Sequence, residues 1–203
     1  MKASWLFANM EHMGWQVGMW SDLALAEDGV RQYTTQPQKW AFVNQGTVGI
    51  VLGEEWARTW RESGAISRSG SARPNGPVRA LAIDIKTKDK RGGITFVACY
   101  APTNRPETMV ERTCFFELIQ GMVRRSPCRG SVVCGGDMNS VAYKGGEGEF
   151  LHWTGPEAKA DIAAGSEDFM ECCREEGLAV CGSWFRQRHI QRHGIILGTE
   201  PAG

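Results

Sequence analysis

The stretch ITFVACY (94–100) limits this chain more than any other. It is almost continuously apolar up to Tyr100. A strand apolar on both sides has to be covered on both sides, so it belongs deep in a sheet. It runs into YAPTN (100–104), where Pro102 forces a turn. The period then changes. Phe115, Leu118, Ile119, Met122 and Val123 fall at i, i+3, i+4, i+7 and i+8, with Met109 leading in, which predicts an amphipathic helix over 105–125. Pro106 suits its first turn, with Glu107 near the positive end of the dipole. Arg124-Arg125 close the last turn and Pro127 stops it. SVVCGG (131–136) is then a second buried strand. In a layered sheet, two central strands joined by such a helix can finish near one another.

The rest of the chain fits around this unit. KWAFV (39–43) and TVGIVL (47–52) read as strands around an Asn44-Gln45-Gly46 turn. SRSGSARPNGP (67–77) reads as a surface loop. VRALAIDIK (78–86) alternates like a strand covered on both faces, and 86–93 is a hairpin-type loop that makes it the antiparallel neighbour of 94–100. A Gly-, Glu- and Pro-rich region (145–165) reads as a long surface loop. Ser166 caps a second helix, 166–176, which ends at Gly177. LAVCGSWF (178–185) is a strand or an extended segment. Residues 1–36 and 190–203 are poorly defined. The sum is an α+β chain of one domain, 1–203.

Composition narrows the function classes. Hydrophobic residues make up 42%, charged residues 23%, and the net charge is +0. No global field draws the protein to nucleic acid or membrane, so such binding must come from a local patch. No apolar run approaches the roughly 20 residues that span a bilayer. MKASWLF is too short for a secretory signal, since Asn9, Glu11 and His12 follow at once. The expectation is an intracellular protein, nuclear or cytoplasmic, without membrane contact. Seven cysteines, an odd number with no C-x-x-C, are expected as reduced thiols.

Chemistry concentrates at 131-SVVCGGDMNS-140. In an extended segment residues i and i+2 face the same side, so Asp137 and Asn139 would project together from a strand end. Phosphodiester hydrolysis needs a hard cation, usually Mg2+, held by carboxylate oxygens, and neutral donors facing the phosphoryl oxygens. Asp137 and Asn139 supply one of each, and Gly135-Gly136 permit close approach. A plain Asp/Asn turn is the alternative. Tyr100 would lie near Asp137, its phenol able to bond a phosphate oxygen, or it is a rim tyrosine.

In order, VGIVL (48–52), ITFVACYAPTN (94–104), VVCGGDMNS (132–140) and GLAVCGSWF (177–185) resemble the endonuclease/exonuclease/phosphatase superfamily. The nearest look is to the endonuclease domains of LINE-type retrotransposons and the related craniofacial-development-protein-like chains. The resemblance covers roughly 15–193. It implies an α/β four-layered sandwich, two packed mixed sheets with helices outside, incomplete at the C-terminus. It also implies Mg2+-dependent (or Mn2+-dependent) phosphodiester cleavage, in this subgroup nicking of DNA. Tyr100 matches the family's catalytic-site tyrosine. Asp137 matches the aspartate of nucleophile activation and metal handling, and Asn139 the asparagine on the reacting phosphate. Asp22 falls nearest the metal-binding glutamate, with Glu27 as fallback.

The chain also departs from the family. The family's terminal Ser-Asp-His has no counterpart, so the general base is missing and one sheet is expected to keep an unpaired edge. His12, His152, His189 and His193 are not plausible substitutes. Arg186, Arg188 and Arg192 in RQRHIQRH (186–193) form a local basic patch that could meet a DNA phosphate backbone, or be a solvated segment. The expectation is a monomeric, metal-dependent, DNA-endonuclease-like domain, weakly active or inactive. The rivals are a non-catalytic remnant or interaction module on the same fold, and a phosphodiesterase for phosphoinositides or other small substrates.

Overall fold

The structure is a computed structural model. It describes residues 10, 12, 14–23, 28–35, 38–86, 92–128, 131–143, 153–154, 166–180 and 194–198, with backbone alone for 33–35, 38 and 194–198.

Four short strands build the first sheet: β1 (Val17–Trp20), β2 (Gly29–Thr35), β3 (Gln38–Gln45) and β4 (Val48–Leu52). Their order is β1-β4-β3-β2, antiparallel throughout. The β3–β4 turn falls at Gly46-Thr47 rather than at Asn44-Gln45-Gly46, because Asn44 and Gln45 still pair with Gly49 and Val48. Gly46 takes a positive φ of 53° there, and its N–H is held by Asp28 Oδ1 at 2.7 Å.

The second sheet holds β5 (Ser67–Ser71), β6 (Val78–Ile85), β7 (Ile94–Tyr100), β8 (Ser131–Asp137), β9 (Leu178–Val180) and β10 (Gly194–Gly198). The order is β5-β6-β7-β8-β10-β9, so β7 sits at its centre as its apolar run requires. β7 and β8 are parallel, as a helical crossover dictates, while β6 and β7 form the expected antiparallel pair. One expectation fails here. Part of the stretch read as a loop, 67–71, is the edge strand β5. The tail that showed no pattern supplies β10, which pairs with β8 and β9, so the sheet ends at β5 and β9.

Three helices complete the described fold: α1 (Glu54–Glu62), α2 (Met109–Arg124, entered through a 3-10 turn at Pro106–Thr108) and α3 (Glu167–Glu175). Alternation along each strand divides the interior. Leu81, Ile83 and Ile85 of β6, with Phe96, Ala98 and Val133, pack between the sheets on Val43, Ile50 and Leu52, and α1 adds Ala57 and Trp60. Ala80, Ala82, Val97, Cys99 and Cys134 face outward under Phe115, Phe116, Ile119 and Met122 of α2 and Phe169 and Met170 of α3. This is the expected α+β arrangement of two packed sheets with helices outside.

Within α2, Met109 is 59% exposed, and the buried apolar stripe begins at Phe115. Ser166 does not cap α3 through its side chain. Its Oγ accepts the Val141 N–H at 2.9 Å and so ties α3 to the segment after β8. Among the described residues no helix is long and apolar enough to cross a membrane. Most of the stretch read as the long loop 145–165, together with 181–193, lies outside the described residues.

Candidate active site

Two backbone devices bring the ends of β7 and β8 together. The parallel register sets Tyr100 opposite Asp137, and the Ala101 N–H extends the ladder one step by donating to the Asp137 carbonyl at 2.8 Å. Gly136 makes this approach possible. Its φ is +137°, and a Cβ there would run into the Cys99 carbonyl oxygen on β7. Gly135 serves the other sheet, since a Cβ there would lie 2.6 Å from Met19 Cε. The close approach that the two glycines permit is used by neighbouring parts of the protein itself, the β7 backbone at Gly136 and the Met19 side chain at Gly135.

Asp137 and Asn139 meet, but not by strand alternation. β8 ends at Asp137, Met138 turns inward and is buried, and Asn139 adopts a left-handed φ of 45°. The Asn139 N–H donates to Asp137 Oδ1 at 2.9 Å, closing an Asx turn. The Asn139 side-chain Nδ2 donates to the Ala101 carbonyl at 2.8 Å, which binds this turn to the loop after Tyr100. The turn and the candidate site are one object.

Asp22 arrives from the first sheet. β1 pairs with β4, and beyond Trp20 the chain turns at Asp22 with φ 57° before the Leu23 N–H bonds the Thr47 carbonyl at 3.0 Å. There the exposed Asp22 carboxylate lies close enough to the Tyr100 phenol for its charge to act on it. Burial, and after it the charges of Asp22 and Asp137, push the Tyr100 phenol above its ordinary value of 10.0, while Arg79 pulls the other way. Tyr100 is therefore a protonated donor at neutral pH. The Arg79 guanidinium stands 5.6 Å from the centre of the Tyr100 ring, donates to the Tyr100 carbonyl at 3.4 Å and is paired with Glu111 at 2.9 Å.

Tyr100, Asp137, Asn139 and Asp22 thus come together. Glu27, Arg186, Arg188 and Arg192 lie outside the described residues, as do His152, His189 and His193. Arg79 and Arg112 were missed. Arg112 left a legible signal, because it stands on the stripe that continues through Phe115, Phe116 and Ile119, and a charge on an apolar stripe asks for a buried partner.

Among the described residues no third acidic, histidine or cysteine side chain joins the Asp22–Asp137 pair to make a metal cluster. The donors present are two carboxylates and a phenol, all hard oxygens. That set fits a Mg2+-sized ion, which keeps several waters and needs only one or two carboxylates from the protein. Soft or nitrogen-rich sites are built differently.

No family model matches the chain, and no curated protein matches it either. Solved structures do. An AP endonuclease from Leishmania major superposes with a TM-score of 0.57 at 13% identity, covering 98% of this chain and 74% of the other. An endonuclease/exonuclease/phosphatase family protein from Leptotrichia buccalis gives 0.54 at 12%, covering 96% and 80%. The fold is that of the endonuclease/exonuclease/phosphatase proteins. The endonuclease domain of TRAS1, a telomere-specific non-LTR retrotransposon, gives 0.48 at 15% identity, covering 96% and 77%. Such likeness extends to the chain path alone, so the work of the endonuclease/exonuclease/phosphatase-like residues here rests on their own chemistry.

Proposed function

We propose that this chain binds a phosphodiester of DNA between Tyr100, Asn139 and a divalent cation, and hydrolyses it slowly. The observation that carries the reading is the convergence of Asp22 and Asp137, from two different sheets, on the Tyr100 phenol. Asp22 and Asp137 would hold Mg2+ or Mn2+. Such an ion polarises a phosphoryl oxygen and generates a hydroxide-like nucleophile near neutral pH. The protein's own part is positional. The Tyr100 hydroxyl would donate its hydrogen to a phosphoryl oxygen. Asn139 spends one amide hydrogen on Ala101, and its second is the donor for another oxygen of the same phosphate. Asp137 Oδ1 is fixed by the Asn139 N–H, which orients its other oxygen.

The 203 residues contain no Asp-His dipeptide, and a chain working without such a general base would turn over slowly. Positioned proton transfer contributes about 10²- to 10⁴-fold, so activity should fall short by that factor. The retrotransposon origin rests on the order of the four motifs in the sequence. With Mg2+, the purified chain should nick supercoiled plasmid weakly, and Asp137→Ala should abolish the nicking. Wild-type and Asp137→Ala chains that nick at the same rate would sink the reading.

A non-catalytic binding module is the second reading. It is favoured by the Asn139 amide, which is already bonded to the Ala101 carbonyl within the chain. Saturable Mg2+ uptake and DNA retention without any nicking would select it.

A further inference from the structure

Arg112 is the one charged side chain among the largest fully buried ones, at 1% exposure. A guanidinium removed from water persists only where acceptors surround it. Its acceptors belong to the two loops that carry the site. Nη1 donates to the Pro102 carbonyl at 2.8 Å and to the Asn139 carbonyl at 3.4 Å, and Nη2 donates to Ser140 Oγ at 2.8 Å. The Ser140 hydroxyl passes the bond on to the Met138 carbonyl at 2.9 Å. Phe116 supports the guanidinium from below, 5.4 Å from its ring centre. Burial lowers the affinity of Arg112 for its proton, and the carboxylates of Asp168 and Glu167 on α3 act against this.

We propose that Arg112 is a positioning residue for the candidate site. Its planar fork bolts the loop after Tyr100 to the Asp137–Ser140 turn and so fixes Asp137 and Asn139 relative to Tyr100. The proposal rests on the phosphodiester reading for its consequence, though not for its geometry. Its terminal nitrogens reach acceptors on both loops in one plane, a fixed geometry that the point charge of a lysine does not reproduce.

Two measurements on the full chain separate these levels. The first is amide hydrogen exchange. In Arg112→Met the Asn139 N–H, which depends on the Asx turn, should exchange about tenfold faster or more, while Val97 and Val133 in mid-strand keep their protection. Arg112→Lys should fall between. Uniform acceleration along β7 and β8, or an unchanged Asn139 in a folded variant, overturns the proposal. If Arg112→Met does not fold, Ser140→Ala decides, since it removes one bond of the fork and should speed Asn139 selectively. The second is Mg2+ titration followed by calorimetry. Arg112→Met should weaken Mg2+ affinity by about 10- to 100-fold, as loss of an outer support does. Wild-type affinity retained in Arg112→Met overturns the link to function. A wild-type chain that takes up no Mg2+ refutes the phosphodiester reading, while exchange at Asn139 still decides Arg112.

Discussion

Tyr100 is where the chemistry can be read most directly. A phenol raised above 10.0 in the folded chain holds its proton more tightly than in the unfolded one. The stability this confers is complete below the unfolded value, and it is lost as pH rises through that value toward the folded one. Ultraviolet difference titration should show Tyr100 ionising late. In Asp22→Asn that delay should shrink, because a negative charge beside the phenol is removed. An unchanged titration curve would mean that Asp22 does not meet Tyr100 in solution. The residue identities were legible unequally. Asp137 and Asn139 stood out by type and spacing, yet their joint orientation comes from a left-handed turn rather than from strand alternation. Asp22 was reached through family resemblance alone, because its approach depends on which strand β1 pairs with, and four half-buried residues do not encode that.

At the scale of elements, the β7–β8 pair depends on Gly136. Gly136→Ala demands both an unfavourable φ and room that the Cys99 carbonyl occupies. It should cost about 3 kcal/mol or more, with loss of the Tyr100–Asp137 register. Urea denaturation measures the cost, and a change below about 1 kcal/mol would contradict this packing. β6, β7, α2 and β8 were readable because each buries long apolar runs with a clear period. β5, SRSGS, was not, because an edge strand with largely solvated faces looks like a loop. α1 hid for a related reason. EEWARTWRE buries only Ala57 and Trp60, and its charges mask the stripe. The three apolar residues of β10 between two glycines are too few to show a period.

At the scale of the whole molecule the net charge is +0, so the proposed cation uptake would fall to a local group, the Asp22–Asp137 pair. Mg2+ at about 100 times its dissociation constant should stabilise the fold by about 2.7 kcal/mol, seen as a rise in melting temperature. The same addition should leave Asp137→Ala unmoved. A rise of equal size in both would assign the effect to ions elsewhere on the surface.

The seating of Met19 over Gly135 has a consequence for assembly. Asp22 follows three residues after Met19 on β1, whereas Asp137 follows two after Gly135 on β8, and the side chain of one strand lies in the gap left by the other. Neither half of the sandwich owns the pocket. A chain with one sheet formed and the other undocked holds half of the acidic pair, however native that half is. In the proposed reading, ligand uptake by this protein would report the docking of its two halves.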